Sequence, residues 1–262
     1  MRLGLFTLLI SAAMSQADPA LDTALEASTP DLQKWASVCL VGGSAEKPNF
    51  EWHDFRDTGT RTDFWPASTI KLYTVIAALE LLHEQGLSLQ STASFEHQDS
   101  SGIWHLDCAR TMPEMLSEVF RRSSNEDYTL LLRLVGIDRI NTRLLIPERG
   151  YPHSALMRGY IQDRPWVYHR EESQRVHLSS TNNSQTTTLQ HRWSGRHYAK
   201  ERCCTVIDAK TGNVTSAHEL ADTLRRLLFH KHLTENERFR LTEQQIDFLL
   251  HGENNFVGLE TR

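Results

Sequence analysis

The sequence predicts an α+β chain, a short strand pair followed mainly by helices, and three stretches carry that prediction. Residues 37–43, Ser-Val-Cys-Leu-Val-Gly-Gly, are a brief apolar run closed by glycines, as expected of a buried strand. Residues 49–56 alternate in polarity and suit its hairpin partner. From Ser68 to His83 the chain is apolar on most faces and meets no Gly or Pro until Gly86, so it should be a buried helix.

Taken in order, the chain opens Met1-Arg2-Leu3-Gly4-Leu5-Phe6, and the apolar run ends near Ser15-Gln16-Ala17. One positive charge, a short apolar segment and a small-residue site read as a secretory signal over residues 1–17, too short to span a bilayer comfortably. No later segment looks membrane-spanning. An exported domain is expected over 18–262, with a helix and strand part at 18–60 and an all-α part at 61–250 that carries an insertion at about 150–205. Within 18–36 a helix is expected, interrupted by Pro30. Residues 87–112 read as irregular, with a turn at Asp99-Ser100-Ser101-Gly102. Thr111-Met112-Pro113-Glu114 is a capping box that opens a helix through Phe120. Helices are expected at Glu126–Val135, stopped by Gly136, and at Arg139–Ile146, stopped by Pro147. The polar run at 179–188 suggests an excursion or mobile hairpin. Ala217, Leu220, Ala221, Leu224, Leu227 and Leu228 recur at helical spacing after Thr215, and a last helix is expected from Glu235 to His251.

Composition narrows the partners. Lys+Arg number 28 against 33 Asp+Glu, a formal charge of −5, without a basic stripe interleaved with aromatics, so nucleic acid is not expected as a partner. A monomer is expected. His169, His177, His191 and His197 lie near Cys203 and Cys204 but match no zinc-ligand spacing, and no metal or cofactor is expected. In an exported chain Cys39, Cys108, Cys203 and Cys204 are open to disulfide formation, with pairing undetermined.

Two short patterns carry chemistry. Ser68 and Lys71 lie three apart at a helix start, which puts a hydroxyl and an amine on one face. A serine needs a base to become a nucleophile, a desolvated lysine has a lowered pKa, and a helix N-terminus favours a developing oxyanion. A capping serine with a snorkelling lysine accounts for the same two residues. The second pattern, Ser123-Ser124-Asn125, sits between two helices, where short polar side chains either cap a helix or point into a cleft.

Together the patterns resemble the serine β-lactamases and penicillin-binding proteins, specifically the class A β-lactamase type. The resemblance rests on Phe64-x-x-Ala67-Ser68-x-x-Lys71, on Ser123-x-Asn125 with Leu130-Leu131-Leu132, and on Val214-Thr215 followed by Glu219-Leu220-Ala221 and Leu224. It implies an α/β part joined to an all-α part, with the site at their junction. It also implies that Ser68 is acylated, that Lys71 is its base or part of a proton relay, that Ser123 passes a proton to the leaving nitrogen, and that Asn125 binds the substrate amide. The substrate would be a β-lactam or a peptidoglycan stem peptide.

The chain departs from the family pattern twice. Lys210-Thr211-Gly212 precedes the last two helices, whereas the family's K-T-G strand follows them, and only Gly252 to Arg262 remain after His251, so the C-terminal strands are expected to be missing. The family's Ω-loop glutamate, which activates the deacylating water, has no counterpart at Leu156-Met157-Arg158-Gly159-Tyr160, and Glu171 and Glu172 stand in no matching motif. The expected activity is a serine hydrolase that opens β-lactam rings and confers antibiotic resistance. A D-alanyl-D-alanine peptidase-like protein and an inactive binding scaffold are the alternatives.

Overall fold

The computed structural model describes residues 19–28, 35–56, 58–62, 66–161, 174–180, 185–202, 212–253 and 256–259. The expected signal segment 1–17, Phe64, Glu171, Glu172, Cys203, Cys204, Lys210 and Thr211 lie outside them. Helices and strands alternate in an α+β, β-lactamase-like fold.

Helix α1, Pro19–Ser28, ends just before Pro30, whose ring disfavours helical backbone in the residue preceding it. Strands β1, Ala36–Gly43, and β2, Pro48–Phe55, form the expected hairpin, registered from Ala36 opposite Phe55 to Gly43 opposite Pro48. Side chains alternate across a strand. His53 of β2 meets Asp22 of α1 at 2.7 Å. On the other side, Trp52 lies 4.3 Å from the ring of His218, and Phe50 lies 5.0 Å from that of Phe229. His218 belongs to a helix from late in the chain, Ala217–Leu228, and Phe229 closes it. The strand pair is therefore covered by a helix assigned in the sequence reading to the all-α part.

A 3-10 turn, Ala67–Ile70, runs into α2, Lys71–Glu84, and every residue from Ile70 to Leu82 except Glu80 is buried. The helix ends where Gly86 takes φ +65°, with Gly86 N–H donating to His83 O and Leu87 N–H to Leu82 O. This pair of bonds satisfies carbonyls that would otherwise end unpaired, and glycine adopts the left-handed backbone at little cost.

The largest correction follows α2. Residues 87–112 are not irregular: β3, Thr92–Gln98, and β4, Trp104–Thr111, form a hairpin around the foreseen Asp99–Gly102 turn. Two later strands, β5, Gln174–Ser179, and β6, Thr186–His191, add to it in the order β4-β3-β5-β6, antiparallel throughout. The polar insertion at 150–205 thus supplies half of a four-stranded sheet, and the segment 61–250 is not all-α. Ala93 and Phe95 of β3 and Val176 and Leu178 of β5 are buried, two positions apart on each strand.

That face packs on α4, Asn125–Val135, against which α3, Met112–Arg122, packs in turn. Thr111 and Glu114 make the reciprocal capping bonds that the sequence indicates. Arg133 of α4 ties helix to sheet by donating to Glu96 O at 3.1 Å and Asp107 Oδ2 at 2.6 Å. Helix α5, Ile137–Arg139, continues as a π-turn, Ile140–Leu144, and α6 is Tyr198–Arg202. The Ala217–Leu228 helix, α7, is capped by Ser216 rather than opened by Thr215. The last helix, α8, is Glu243–His251, shorter than expected because Thr242 and Gln245 form a capping box there. Two-residue strands β7, Gly252–Glu253, and β8, Phe256–Val257, follow it. Among the described residues no helix is long and apolar enough to cross a membrane, and Cys39 and Cys108, both half-buried, are free thiols.

A buried polar network joins α7 to α2. Tyr73 Oη and Thr215 Oγ1 are 2.8 Å apart, Thr215 Oγ1 and Ser154 Oγ 2.7 Å, and Ser154 donates to the Glu219 carboxylate, which also accepts from His153 N–H at 2.8 Å. Burial pushes the Glu219 carboxyl up to about 7, against the hydrogen bonds that favour its charged form. An unfolded glutamate titrates near ~4.3, so the folded chain holds this proton more tightly. The stabilisation is complete below that value and is lost as pH rises through about 7. Thermal unfolding between about pH 5 and pH 8 should show stability falling by on the order of 3 kcal/mol from this group, and Glu219→Gln should flatten that slope. A slope unchanged by the substitution refutes the assignment.

Candidate active site

The site gathers at the N-terminal end of α2. Ser68 is exposed in the 3-10 turn, and Ala67 before it has φ +45°. Lys71, one turn on, is only 2% exposed. Its amine meets three acceptors across the α3–α4 turn: the Ser123 carbonyl, Ser123 Oγ at 3.1 Å and Asn125 Oδ1 at 2.8 Å. Burial lowers its pKa to about 8.

The α3–α4 turn is shaped by its short polar residues. Ser123 ends α3 in the left-handed region, φ +52° and ψ +40°. Non-glycine residues seldom adopt this backbone, and it costs about 1–3 kcal/mol. It allows the Ser123 carbonyl and hydroxyl to reach the same amine. Ser124 caps α4 by accepting from Asp127 N–H at 3.1 Å, which makes Asn125 the helix's first residue. The sequence left Ser123-Ser124-Asn125 open between cap and cleft, and the fold divides the roles: Ser124 caps, while Ser123 and Asn125 bond Lys71.

A cleft of about 310 Å³ opens over these groups, lined by Ser68, Lys71 and Ser123, with Phe120, Leu220 and Leu259 as apolar wall. The structure thus brings together Ser68, Lys71 and Ser123, and Asn125 joins them through the amine. Lys71 bonds Ser123 and Asn125 and not Ser68, whose hydroxyl has no partner among the described residues. Gly212 is buried and does not line this cleft. A second concavity, of about 420 Å³ at the C-terminal end of α2, holds the paired Arg149–Glu80 and Arg139–Glu84 and no nucleophile. Among the described residues no group of His, Cys, Asp or Glu is arranged to hold a metal ion.

Sequence reasoning missed two residues. Tyr160 donates its hydroxyl to Ala67 O at 3.0 Å and accepts from Asn213 Nδ2 at 3.2 Å. The Tyr160 and Tyr128 rings lie 5.8 Å and 5.6 Å from the Lys71 amine. Asn213 also accepts from Met157 N–H and Arg158 N–H at 2.7 and 3.1 Å, pinning the loop that carries Tyr160. One signal was present in the sequence. Gly159 precedes Tyr160, and a Cβ there would come within 2.5 Å of Thr129 Oγ1, so the loop's close approach to α4 requires glycine.

The model of the beta-lactamase enzyme family matches residues 56–250, which include Ser68, Lys71, Ser123 and Asn125. No curated protein and no solved structure matches the chain. Because the family match covers well over half of the sequence, the chain belongs to the beta-lactamase enzyme family.

Proposed function

We propose that the chain is a serine hydrolase of the class A type, exported from the cell, that is acylated on Ser68 and opens β-lactam rings. Loss of antibiotic by this ring opening would be its contribution to resistance. The observation that carries the reading is the Lys71 amine, dry, lowered in pKa to about 8, and held beside Ser123 and Asn125 at the floor of a cleft lined by Ser68.

The proposed steps use groups already in place. As an ammonium, Lys71 donates to its three acceptors and has no lone pair. Once neutral, it can take the Ser68 proton while Oγ bonds to the lactam carbonyl carbon. The Ser68 backbone N–H, in the turn that leads into α2, would donate to the oxyanion. As the C–N bond breaks, the proton moves from Lys71 through Ser123 Oγ, 3.1 Å from the amine, to the leaving nitrogen. Asn125 spends its Oδ1 on Lys71 and so offers Nδ2 to the substrate amide.

A second reading, a D-alanyl-D-alanine peptidase-like protein acting on peptidoglycan stem peptides, is favoured by one observation. Among the described residues, the loop side chain that reaches the nucleophile's turn is the phenol Tyr160 and not a carboxylate. Turnover of a chromogenic cephalosporin supports the first reading, and a lasting adduct with little turnover supports the second.

Mass spectrometry after incubation with a penicillin should place one adduct on Ser68, absent from Ser68→Ala. An adduct that survives that substitution refutes the nucleophile. Lys71→Ala should slow acylation by about 100- to 10,000-fold. The acylation rate should climb with pH and level off above about 8, as the amine loses its proton. A pH-independent acylation rate from about 6 to 9 would remove Lys71 as the base.

A further inference from the structure

Tyr160 is held on every side that the structure describes. Its backbone N–H donates to Thr129 Oγ1 at 3.1 Å, its ring lies 5.0 Å from that of Tyr128, and its hydroxyl bridges Ala67 O and Asn213 Nδ2. Ala67 immediately precedes Ser68, so the phenol is fixed on the peptide next to the nucleophile, on the loop side of the turn. With Tyr128 it walls the Lys71 amine with ring carbon on that side, while the three hydrogen-bond partners of the amine lie across the α3–α4 turn.

On the reading that Ser68 is acylated, we propose that Tyr160 is a positioning residue that closes the loop-side approach of water to the acyl group, and so sets how long the acyl-enzyme lasts. Hydrolysis requires a water oxygen to bond to the acyl carbon and the bond from that carbon to Ser68 Oγ to break. One water proton returns to Oγ, and the other leaves with the carboxylic acid product. Both transfers need a water placed against a base, and among the described residues Lys71 is the base at hand. The Tyr160 ring occupies that side of the amine. Its hydroxyl cannot substitute as the base, because burial holds the phenol above the ordinary tyrosine value and it is already committed to donating to Ala67 O.

The test separates formation of the adduct from its loss. Acylation is followed by stopped flow with a chromogenic cephalosporin, and adduct decay by intact-protein mass spectrometry after excess penicillin is removed. The full chain is compared with Tyr160→Phe, which keeps the ring, and Tyr160→Gly, which removes it. Tyr160→Gly should shorten the adduct lifetime tenfold or more, with acylation moving less than decay, and Tyr160→Phe should shorten it less than Tyr160→Gly. Should the glycine variant fail to fold, Tyr160→Leu, shorter but still apolar against Tyr128, should shorten the lifetime at least threefold. Lifetimes within twofold across the folded variants overturn this proposal while leaving Ser68 acylation standing. A parent chain that forms no adduct on Ser68 overturns both.

Discussion

An amine taken out of water must find acceptors or lose its proton, and Lys71 does some of each. The α2 helix is buried almost all round and Lys71 at its start is only 2% exposed, so the cost of leaving its charge unpaired is severe. The fold answers with one short turn. Ser123 gives a carbonyl and a hydroxyl, and Asn125 gives an amide oxygen, to a single Nζ. This is why Ser123 holds a left-handed backbone that serine does not favour. The same burial lowers the lysine pKa to about 8, near enough to neutrality that the group can exchange a proton.

Keeping the N-terminal end of α2 fixed requires support from behind. Tyr73, two residues beyond Lys71, enters the buried chain of hydroxyls that runs through Thr215 and Ser154 to Glu219. That chain crosses from α2 to α7, and α7 in turn covers the β1–β2 hairpin through Trp52–His218 and Phe50–Phe229. The strand pair and the helical part are therefore coupled through one helix. A change at Glu219 would be felt first as stability and second as the placement of α2, because the carboxyl touches no group that lines the cleft.

What the sequence made legible follows from where its patterns are dense. The α2 helix reads directly because sixteen apolar-rich residues carry no breaker, and the α3 cap reads from side chains three apart, whereas the same spacing at Thr242 and Gln245 went unread and the last helix was expected to start at Glu235. The four-stranded sheet did not read, although Ala93/Phe95 and Val176/Leu178 alternate correctly. Its strands are short and rich in Ser, Thr, Gln and His, and the β3–β5 pairing joins segments some eighty residues apart, so neither strand shows its partner. Ser123 and Asn125 could be singled out by type and spacing, whereas their joint bond to Lys71 depends on a backbone conformation that no spacing encodes. Tyr160 carries no such marker: the family resemblance implies a carboxylate in that loop, and the contact of the phenol with Ala67 spans 93 positions.

The two sides of the Lys71 amine differ in kind, and that difference bears on the chemistry. Toward the α3–α4 turn it meets oxygen atoms that can pass a proton along. Toward the 156–160 loop it meets the Tyr128 and Tyr160 rings, which cannot. A nucleophile served by such an amine has a proton path on one side and an apolar wall on the other. The proposed acylation would need only the first, with Lys71 and Ser123 carrying the Ser68 proton to the leaving nitrogen. Hydrolysis needs a second proton acceptor with water beside it, and the described loop offers a tethered phenol instead. The asymmetry is set by Gly159, whose missing side chain lets the loop close on Thr129, and by Asn213, which holds the loop there through Met157 and Arg158. Under the proposed acylation of Ser68, the lifetime of the acyl group would follow from loop packing more than from nucleophile strength.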